Sequence, residues 1–592
     1  MEARTDWLAA LPFSEVWCID FEYYPGRGLA NGGVDGDPVT PHCFFGYEVR
    51  SGRTVRLRQD ELGPFPPYRL DNSALIISYG LAAEFGCHLS KGWGEPACAI
   101  DALVEFRHHT NDGRDRDRSL GGALNFFGLD GLDVAHKKSM RDRILQGPPF
   151  IEQEKRDILD YCEDDVRALA RLLPRLLPTI RSWPHALHRG RVQWAIAKIE
   201  QRGLPIDLPM LTRLRRHWDG MRTDMVTELD PFGIYEIAGG VAHWRNERLE
   251  AFVAHYKLPW PRLASGKLCT DDETFREMAL LHPIVNPLRE LRCSLSKLKL
   301  NSLAVGADAR NRTPLWAFGA KTARCAPSTT KYVFGPAKWL RFNIVPPPGL
   351  ALIHRDYQQQ EVRIAAVESG DANLLAACES GDVYLGVAEQ IGLLRASMDD
   401  EERAAVRDLA KIIVLSVQYG AGVYSLAALT GLTRSEAHEI LARLRAHFHR
   451  FYDFVHSVGD HAGLNLEIST CFDWRLKCPS GSNPRTIRNF PMQSTGSMIL
   501  HTACLLAERR GVEIVAPIHD AFVVQCDARD VDDVSAALDR IMRDASAVVL
   551  RGFELPTDCQ IIRPGERYFD KRGKAMWDTV TRLLAKRERE SA

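Results

Sequence analysis

The sequence predicts a multidomain protein with α/β and α+β parts, and three observations point there. The chain has 592 residues, and at about 150 residues per domain that is roughly four domains. Residues 1–185 open with an apolar strand, EVWCIDFEYY, and then alternate short apolar runs with helical patterns, which reads as α/β. Further on, the strand LALIHRD leads into the helix QQQEVRIAAVESG. From residue 495 a helix precedes VEIVAPIHDAFVVQC, two apolar strands flanking a polar turn. Apolar residues make up 45% and charged residues 26%, which excludes a disordered, collagenous or coiled-coil chain.

The elements follow in order. The first region closes with a helix, EQEKRDILDYCEDDVRALARLL, and a break at LLPTIRSWP. Residues 186–310 are mostly helical by period and end near a basic tip, LSKLKLNSL. Residues 366–494 are helix-rich with glycine breaks, and the terminal TRLLAKRERESA reads as a charged tail. No apolar run approaches the length of a spanning helix, so no membrane partner is expected. The N-terminus lacks the features of a secretory signal. The 14 cysteines never fall as C-x-x-C, which argues against a zinc ribbon and for a reducing, cytoplasmic setting.

The net charge of −1 hides a basic block. From Arg289 to Arg341 eleven lysines and arginines face only Glu290 and Asp308. Such a block on a neutral chain is the footprint of a surface that binds a polyanion.

Two sets of acids carry the chemistry. Asp20 and Glu22 lie at i and i+2 on an apolar strand, so both point to one face. There they repel and lose hydration unless a cation holds them. Tyr161 and Asp165 lie at i and i+4 on one helix face. Together they can assemble divalent ions and a water-orienting phenol for phosphodiester hydrolysis. In the other half, Asp356 ends the strand LALIHRD and Asp520 sits at the turn of APIHDAFVV. Two such acids can hold two metal ions roughly 3.5–4 Å apart for phosphoryl transfer. Between them Arg407, Lys411, Leu415 and Tyr419 form one helical stripe, cationic at one end and apolar or aromatic at the other. It suits a triphosphate at one end and a base at the other.

The first set resembles the Tyr-containing branch of the DEDD 3′–5′ exonucleases, with Asp20, Glu22, Asp165 and Tyr161 at the motif positions. Where that family has N-x-x-F-D, this chain reads SYGLAAEFGCHL. Glu84 is the best match for the missing acid, and Asp101 in CAIDALVEFR is the reserve. The second set resembles family A DNA polymerases, of the DNA polymerase I class. DYQQQE (356–361) is similar to motif A, DYSQIE. RDLAKIIVLSVQYG (407–420) is similar to motif B, and PIHDA (517–521) to the HDE motif. KTARCAPS (321–328) and RTIRNFPMQSTGSMI (485–499) resemble two further blocks, and all five occur in the family order.

The resemblance implies an RNase H-like exonuclease domain (1–185) followed by a right-hand polymerase. Its parts would be a thumb and template-binding region (186–340), a palm in two parts (341–365 and 495–592), and fingers with a connecting region (366–494). It implies that Asp356 and Asp520 hold Mg²⁺, two ions per active site and with Mn²⁺ as an alternative, and that the Tyr357 carbonyl completes the shell. Arg407 and Lys411 would neutralise the dNTP phosphates, Lys411 also protonating the pyrophosphate, and Tyr419 would pack near the bases. Glu361 would bar a 2′-hydroxyl and Leu415 would line the sugar pocket. Arg324, Arg485, Asn489 and Gln493 would contact the primer–template minor groove, where degenerate acceptors report pairing without sequence. His519 would approach the primer terminus, and Lys297 and Lys299 would grip duplex phosphates. In the first domain Asp20, Glu22, Glu84 and Asp165 would be the metal ligands.

Two departures stand out: Ala521 occupies the Glu position of HDE, and Leu415 replaces an aromatic residue. No 5′-nuclease domain fits ahead of Asp20, a plan that leans towards phage replication. A processivity factor, helicase or primase is left open as a partner. Two other readings share these motifs. A single-subunit RNA polymerase is opposed by Glu361. An inactive protein that only holds primer–template is opposed by intact Asp356, Asp520, Arg407 and Lys411.

Overall fold

The N-terminal third is organised by β1 (Glu15–Pro25), a strand rich in aromatic and β-branched residues. It pairs antiparallel with β2 (Val39–Glu48), which pairs antiparallel with β3 (Thr54–Arg58). On its other edge it runs parallel to β4 (Ala74–Ser78), and β4 to β5 (Ala99–Asp101). The sheet order is therefore 3-2-1-4-5. Both faces of β1 are covered, which explains its nearly unbroken apolar run. The computed structural model of the chain describes residues 6–591 apart from 32, 113, 115, 132, 231, 264, 298, 299 and 336.

Helices flank this sheet on both sides. On one face Trp17, Ile19 and Phe21 pack with Phe85 of α1 (Leu81–Lys91), and α2 (Ala102–His109) follows β5 directly. On the other, Val16 and Cys18 pack with Ile158, Cys162 and Val166. After α3 (Val134–Gln146), those three residues lie on α4 (Glu152–Leu176). Helix α5 (Trp183–Arg202) runs straight through the 185/186 position and adds Trp194 to the first face. Gly190 lets it lie on the sheet, because a Cβ there would meet the Ala99 carbonyl oxygen at 1.9 Å.

Arg189 of the same helix makes a buried bidentate pair with Glu105 of α2, both bonds at 2.7 Å, and also donates to the Phe472 carbonyl. With both side chains sealed from water, removing one strands the other. Arg189→Ala is therefore expected to cost about 3–5 kcal/mol of stability. A lower urea midpoint at unchanged m-value would record that loss, and an unchanged midpoint would refute it.

Helix α6 (Leu208–Leu229) starts at Asp207, whose carboxylate accepts from the Met210 N–H. The second sheet begins with β6 (Leu350–Tyr357), which turns through Gln358 and Gln359 into α7 (Gln360–Ser369). A helical cluster follows, including α8 (Val383–Gln390) and α9 (Asp400–Gln418), with its own apolar core around Val362, Val387, Ile413 and Leu441. Helix α10 (Pro484–Arg509) leads into the hairpin β7 (Ile514–Ile518) and β8 (Ala521–Asp527). Helix α11 (Val531–Val549) and β9 (Thr557–Ile562) complete the layer. The strand order is β7-β8-β6-β9, antiparallel throughout. Leu500, Ala503, Leu538 and Ile541 belong to the same apolar core as the strand residues Leu352, Ile353, Val523 and Val524.

One expectation is corrected here. The charged tail is the end of a docked helix, α12 (Lys574–Ser591), which buries Met576, Trp577, Val580, Leu583 and Leu584. Arg587 pairs with Asp224, and Glu588 with Arg213, both partners on α6. The charges flank the buried apolar stripe of an amphipathic helix. All 14 cysteines are free thiols. Among the described residues no helix is long and apolar enough to cross a membrane.

Candidate active site and a second carboxylate centre

Asp356 lies near the end of β6, and its antiparallel neighbour on β8 is Ala521. Asp520 occupies the two-residue turn between β7 and β8. The other turn residue, His519, has φ +53°, a left-handed conformation that a non-glycine residue adopts rarely and often at functional sites. The turn is braced by the Tyr357 N–H, which donates to the Asp520 carbonyl at 3.3 Å. The Tyr357 ring is buried, and its hydroxyl donates to the Met542 carbonyl at 2.7 Å.

The Asp356 and Asp520 carboxyls are neighbours, and both residues are half-buried. Burial, and then the charge of Asp520, push the Asp356 carboxyl well above the ordinary carboxylate range, and burial raises Asp520. The Asp356 Oδ1 is buried without a donor. Two partly desolvated, mutually repelling acids with an orphaned oxygen form a donor set that suits a divalent cation.

Beside them four motif residues are joined by hydrogen bonds. The Tyr419 hydroxyl donates to Glu361 Oε2 at 2.9 Å, and Arg324 Nη2 donates to Glu361 Oε1 at 3.0 Å. Gln493 Nε2 donates to the Tyr419 hydroxyl at 2.9 Å. Tyr419 is the residue that ends α9, Glu361 lies in the first turn of α7, and Gln493 lies on α10. The stripe predicted on α9 is present: Lys411 and Tyr419 are exposed and Leu415 is half-buried, while Ala410, Ile413 and Gln418 face the core. A capping box of Asp399 and Glu402 starts that helix.

Arg407 is not free. Its Nε donates to Asp382 Oδ2 at 2.5 Å, and Asp382 also caps α8. Sequence reasoning missed Asp382 because a helix cap has no visible link to a helix 25 residues on. On α10, Arg485 is exposed and Asn489 is buried, its Nδ2 donating to the Arg485 carbonyl at 3.1 Å. Burial, with the charge of Arg324 second, lowers the His519 pKa, favouring the neutral ring. Lys299 and the side chain of Lys297 lie outside the described residues.

In the N-terminal sheet, Asp20, Glu22 and Asp165 present ligand atoms all within 4.8 Å of one another. A bulge directly after Glu22 ends the regular register at that point. The Cys162 thiol donates to the Asp20 carbonyl at 3.3 Å, tying α4 to β1. Burial first, and neighbouring carboxylates second, raise the Asp20 and Glu22 pKa values. Tyr161 sits one turn before Asp165, and burial raises its pKa, keeping the phenol protonated.

Glu84, on α1, is buried with Oε2 lacking a donor, and burial and then Asp20 raise its pKa. Asp101 is differently employed. Its carboxylate accepts from the backbone N–H groups of Gly80, Leu81, Leu103 and Val104, so it caps α1 and α2 together. Asp101 is thus occupied by backbone, while Glu84, with one oxygen unpartnered, lies outside the cluster of Asp20, Glu22 and Asp165 ligand atoms. Sequence reasoning also missed Lys137 on α3, whose Nζ lies 2.7 Å from Asp165 Oδ1.

A sequence model described as DNA polymerase family A matches residues 249–563, more than half of the chain. The chain belongs to that family. Among curated proteins, this family A chain is 25% identical over 447 residues to DNA polymerase I of Chloroflexus aurantiacus, covering 69% of this chain and 46% of that one. DNA polymerase I of Aquifex aeolicus is 23% identical over 390 residues, or 62% and 64% of the two chains. The chain thus spans about half to two thirds of the length of these relatives. A solved structure, titled as the POL domain of Pol1 from M. smegmatis in complex with DNA primer-template and dNTP, matches 97% of this chain and 98% of its own. Its TM-score is 0.67 at 18% identity. The likeness in fold to that structure extends over nearly the whole chain.

Proposed function

We propose that this chain is a template-directed DNA polymerase that extends primed DNA from dNTPs and trims mispaired 3′ ends through a 3′–5′ exonuclease centre. In this reading residues 1–185 are the exonuclease domain and 186–340 the thumb and template-binding region. Residues 341–365 and 495–592 form the palm, and 366–494 the fingers. The observation that carries it is the hydrogen-bonded set Glu361, Tyr419, Gln493 and Arg324 beside the paired Asp356 and Asp520. One helix end, one strand end and a hairpin turn converge there from distant parts of the chain.

Asp356 and Asp520 would hold the divalent ions, which supply charge neutralisation on the transferring phosphate and activation of the primer 3′-hydroxyl. The protein's own part is positioning. Lys411, exposed on α9, meets the triphosphate and can give a proton to the leaving pyrophosphate. Arg407 must exchange Asp382 for phosphate, so nucleotide entry would break that pair. Tyr419, held by Gln493 and Glu361, offers a ring for the base pair, and Arg324 and Gln493 reach towards the minor groove. The exonuclease assignment draws on the 3-2-1-4-5 sheet, an RNase H-like order, with Asp20 and Glu22 on its central strand and Asp165 opposite.

A primer-extension gel tests the reading, run with dNTPs, with rNTPs and without nucleotide. Extension, failure and shortening are the expected outcomes in that order, and extension with rNTPs alone would favour an RNA polymerase.

The sugar pocket gives a sharper expectation. Glu361 is pinned from both sides, by Tyr419 and by Arg324, so its carboxylate has little freedom to retreat from a 2′-hydroxyl. Glu361→Ala is expected to raise ribonucleotide incorporation at least about tenfold, or about 1.4 kcal/mol of lost discrimination. Tyr419→Phe should move it in the same direction by less. Leu415→Tyr should alter dideoxynucleotide use and leave ribonucleotides unaffected. Single-nucleotide incorporation kinetics with dNTP, rNTP and ddNTP measure all three. Unchanged rNTP use by Glu361→Ala would place the steric gate elsewhere.

A further inference from the structure

The acid missing at Ala521 has a counterpart on the other side of Asp356. In the second sheet β6 lies between β8 and β9. Asp356 is directly opposite Ala521 on β8 and directly opposite Asp558 on β9. Residues directly opposite in antiparallel strands put their side chains on the same face, with Cβ atoms about 4.5–5.5 Å apart. Ala521, Asp356 and Asp558 therefore form one row across three strands, on the face that carries the paired acids.

A second departure from the motif sits beside this one. Gln358 stands where the resembling motif A has Ser. Its backbone N–H donates to the Pro556 carbonyl at 2.9 Å, and its Nε2 donates to Asp558 Oδ1. The substituted side chain thus fixes one oxygen of Asp558 and leaves the other free. Asp356 Oδ1, the neighbouring acceptor in the row, is buried and lacks a donor.

We propose that Asp558 is the third carboxylate of the polymerase centre, replacing on β9 the acid that Ala521 lacks on β8. The inference rests on the polymerase reading above and adds a residue and its role: Asp558 strengthens cation binding by the Asp356–Asp520 pair, and Gln358 positions it. A carboxylate row needs positive charge among its members, and the described side chains contacting Asp558 supply only the neutral amide of Gln358. The site therefore gains most from a divalent ion. Asp558 is exposed, which suits an acid at the open rim of the centre, where an ion arriving with nucleotide is still hydrated.

The test is Mn²⁺ titration followed by electron paramagnetic resonance on the full chain. All proteins carry Asp20→Ala and Glu22→Ala, so that the signal comes from the C-terminal centre. Asp558→Asn keeps the shape and can still accept from Gln358. It is expected to weaken Mn²⁺ binding about tenfold, and to raise the Mg²⁺ needed for half-maximal extension by the same factor, at unchanged primer–template affinity. Adding Ala521→Glu to that variant should recover most of the loss by restoring an acid on the opposite side of Asp356. Asp558→Asn binding Mn²⁺ within twofold of the parent, while Asp356→Asn loses it, would overturn the inference and leave the polymerase reading standing. Asp356→Asn binding Mn²⁺ and extending like the parent would overturn both.

Discussion

Asp356→Asn and Asp520→Asn each lower the rate of primer extension by at least about a thousandfold, while affinity for primer–template stays within about threefold of wild type. The reason is that the two carboxylates act as one unit. They are neighbours, both half-buried, and burial together with the charge of Asp520 raises Asp356 far from its ordinary range. Either substitution leaves one acid to do the work of two, so the double variant should be little worse than the singles. In the proposed reading binding rests on phosphate contacts away from these two acids and should fall steeply with salt in wild type and variants alike. Within the basic block, Arg341 is buried against Asp570 and Arg312 is paired with Asp308, so neither is part of that surface.

A structural failure is distinguishable from a chemical one. A carboxyl whose pKa is raised on folding destabilises the folded state at pH values above its unfolded pKa, because the folded protein holds the proton more tightly. That cost grows as pH rises towards the folded pKa and then levels off. A neutral Asn removes it, so at neutral pH in a chelator both variants should melt no lower than wild type. Steady-state extension, fluorescence binding and a melting curve on the same preparations decide the matter. Extension within tenfold of wild type by either variant would remove these acids from the chemistry.

Much of this geometry was legible in the sequence because it rests on local periodicity. The D-x-E pair on a strand, Tyr161 and Asp165 one helical turn apart, and the stripe of α9 depend only on spacing within a single element. The β7–β8 hairpin with Asp520 at its turn is local too. What stayed hidden depends on register between segments far apart in the chain. Asp558 faces Asp356 only through the pairing of β6 with β9, and no spacing in the sequence encodes that pairing. Asp382, which holds Arg407, and Lys137, which reaches Asp165, are hidden for the same reason.

The C-terminal helix is hidden in the sequence for a different reason. Met576, Trp577, Val580, Leu583 and Leu584 recur at helical spacing, but the dense charges between them dominate the composition. The choice between Glu84 and Asp101 needed backbone as well as side chains. Asp101 is occupied by four backbone N–H groups, which a sequence cannot reveal.

Asp20→Ala combined with Glu22→Ala abolishes shortening of a primer in the absence of nucleotide and leaves extension within about twofold of wild type. The first half follows from the clustering of Asp20, Glu22 and Asp165, whose ligand atoms lie within 4.8 Å of one another, with Lys137 paired to Asp165. Removing two of three ligands should cost at least about a thousandfold in hydrolysis. The second half follows from separation: Asp20 and Glu22 sit on the first sheet, while Asp356 is on a strand of the second sheet and Asp520 in one of its hairpin turns. Glu84→Gln tests the further ligand. It keeps the volume of a buried side chain whose Oε2 has no donor, so its effect is on the site rather than the core. It should slow shortening about tenfold to a hundredfold, with the melting temperature held or raised, since burial already disfavours the Glu84 charge. Asp101→Asn should do the reverse. It weakens the capping of two helices, lowering stability by about 1–2 kcal/mol, and slows shortening only as far as α1 shifts. Normal digestion by Glu84→Gln, with loss in a stably folded Asp101→Asn, would move the further ligand to Asp101.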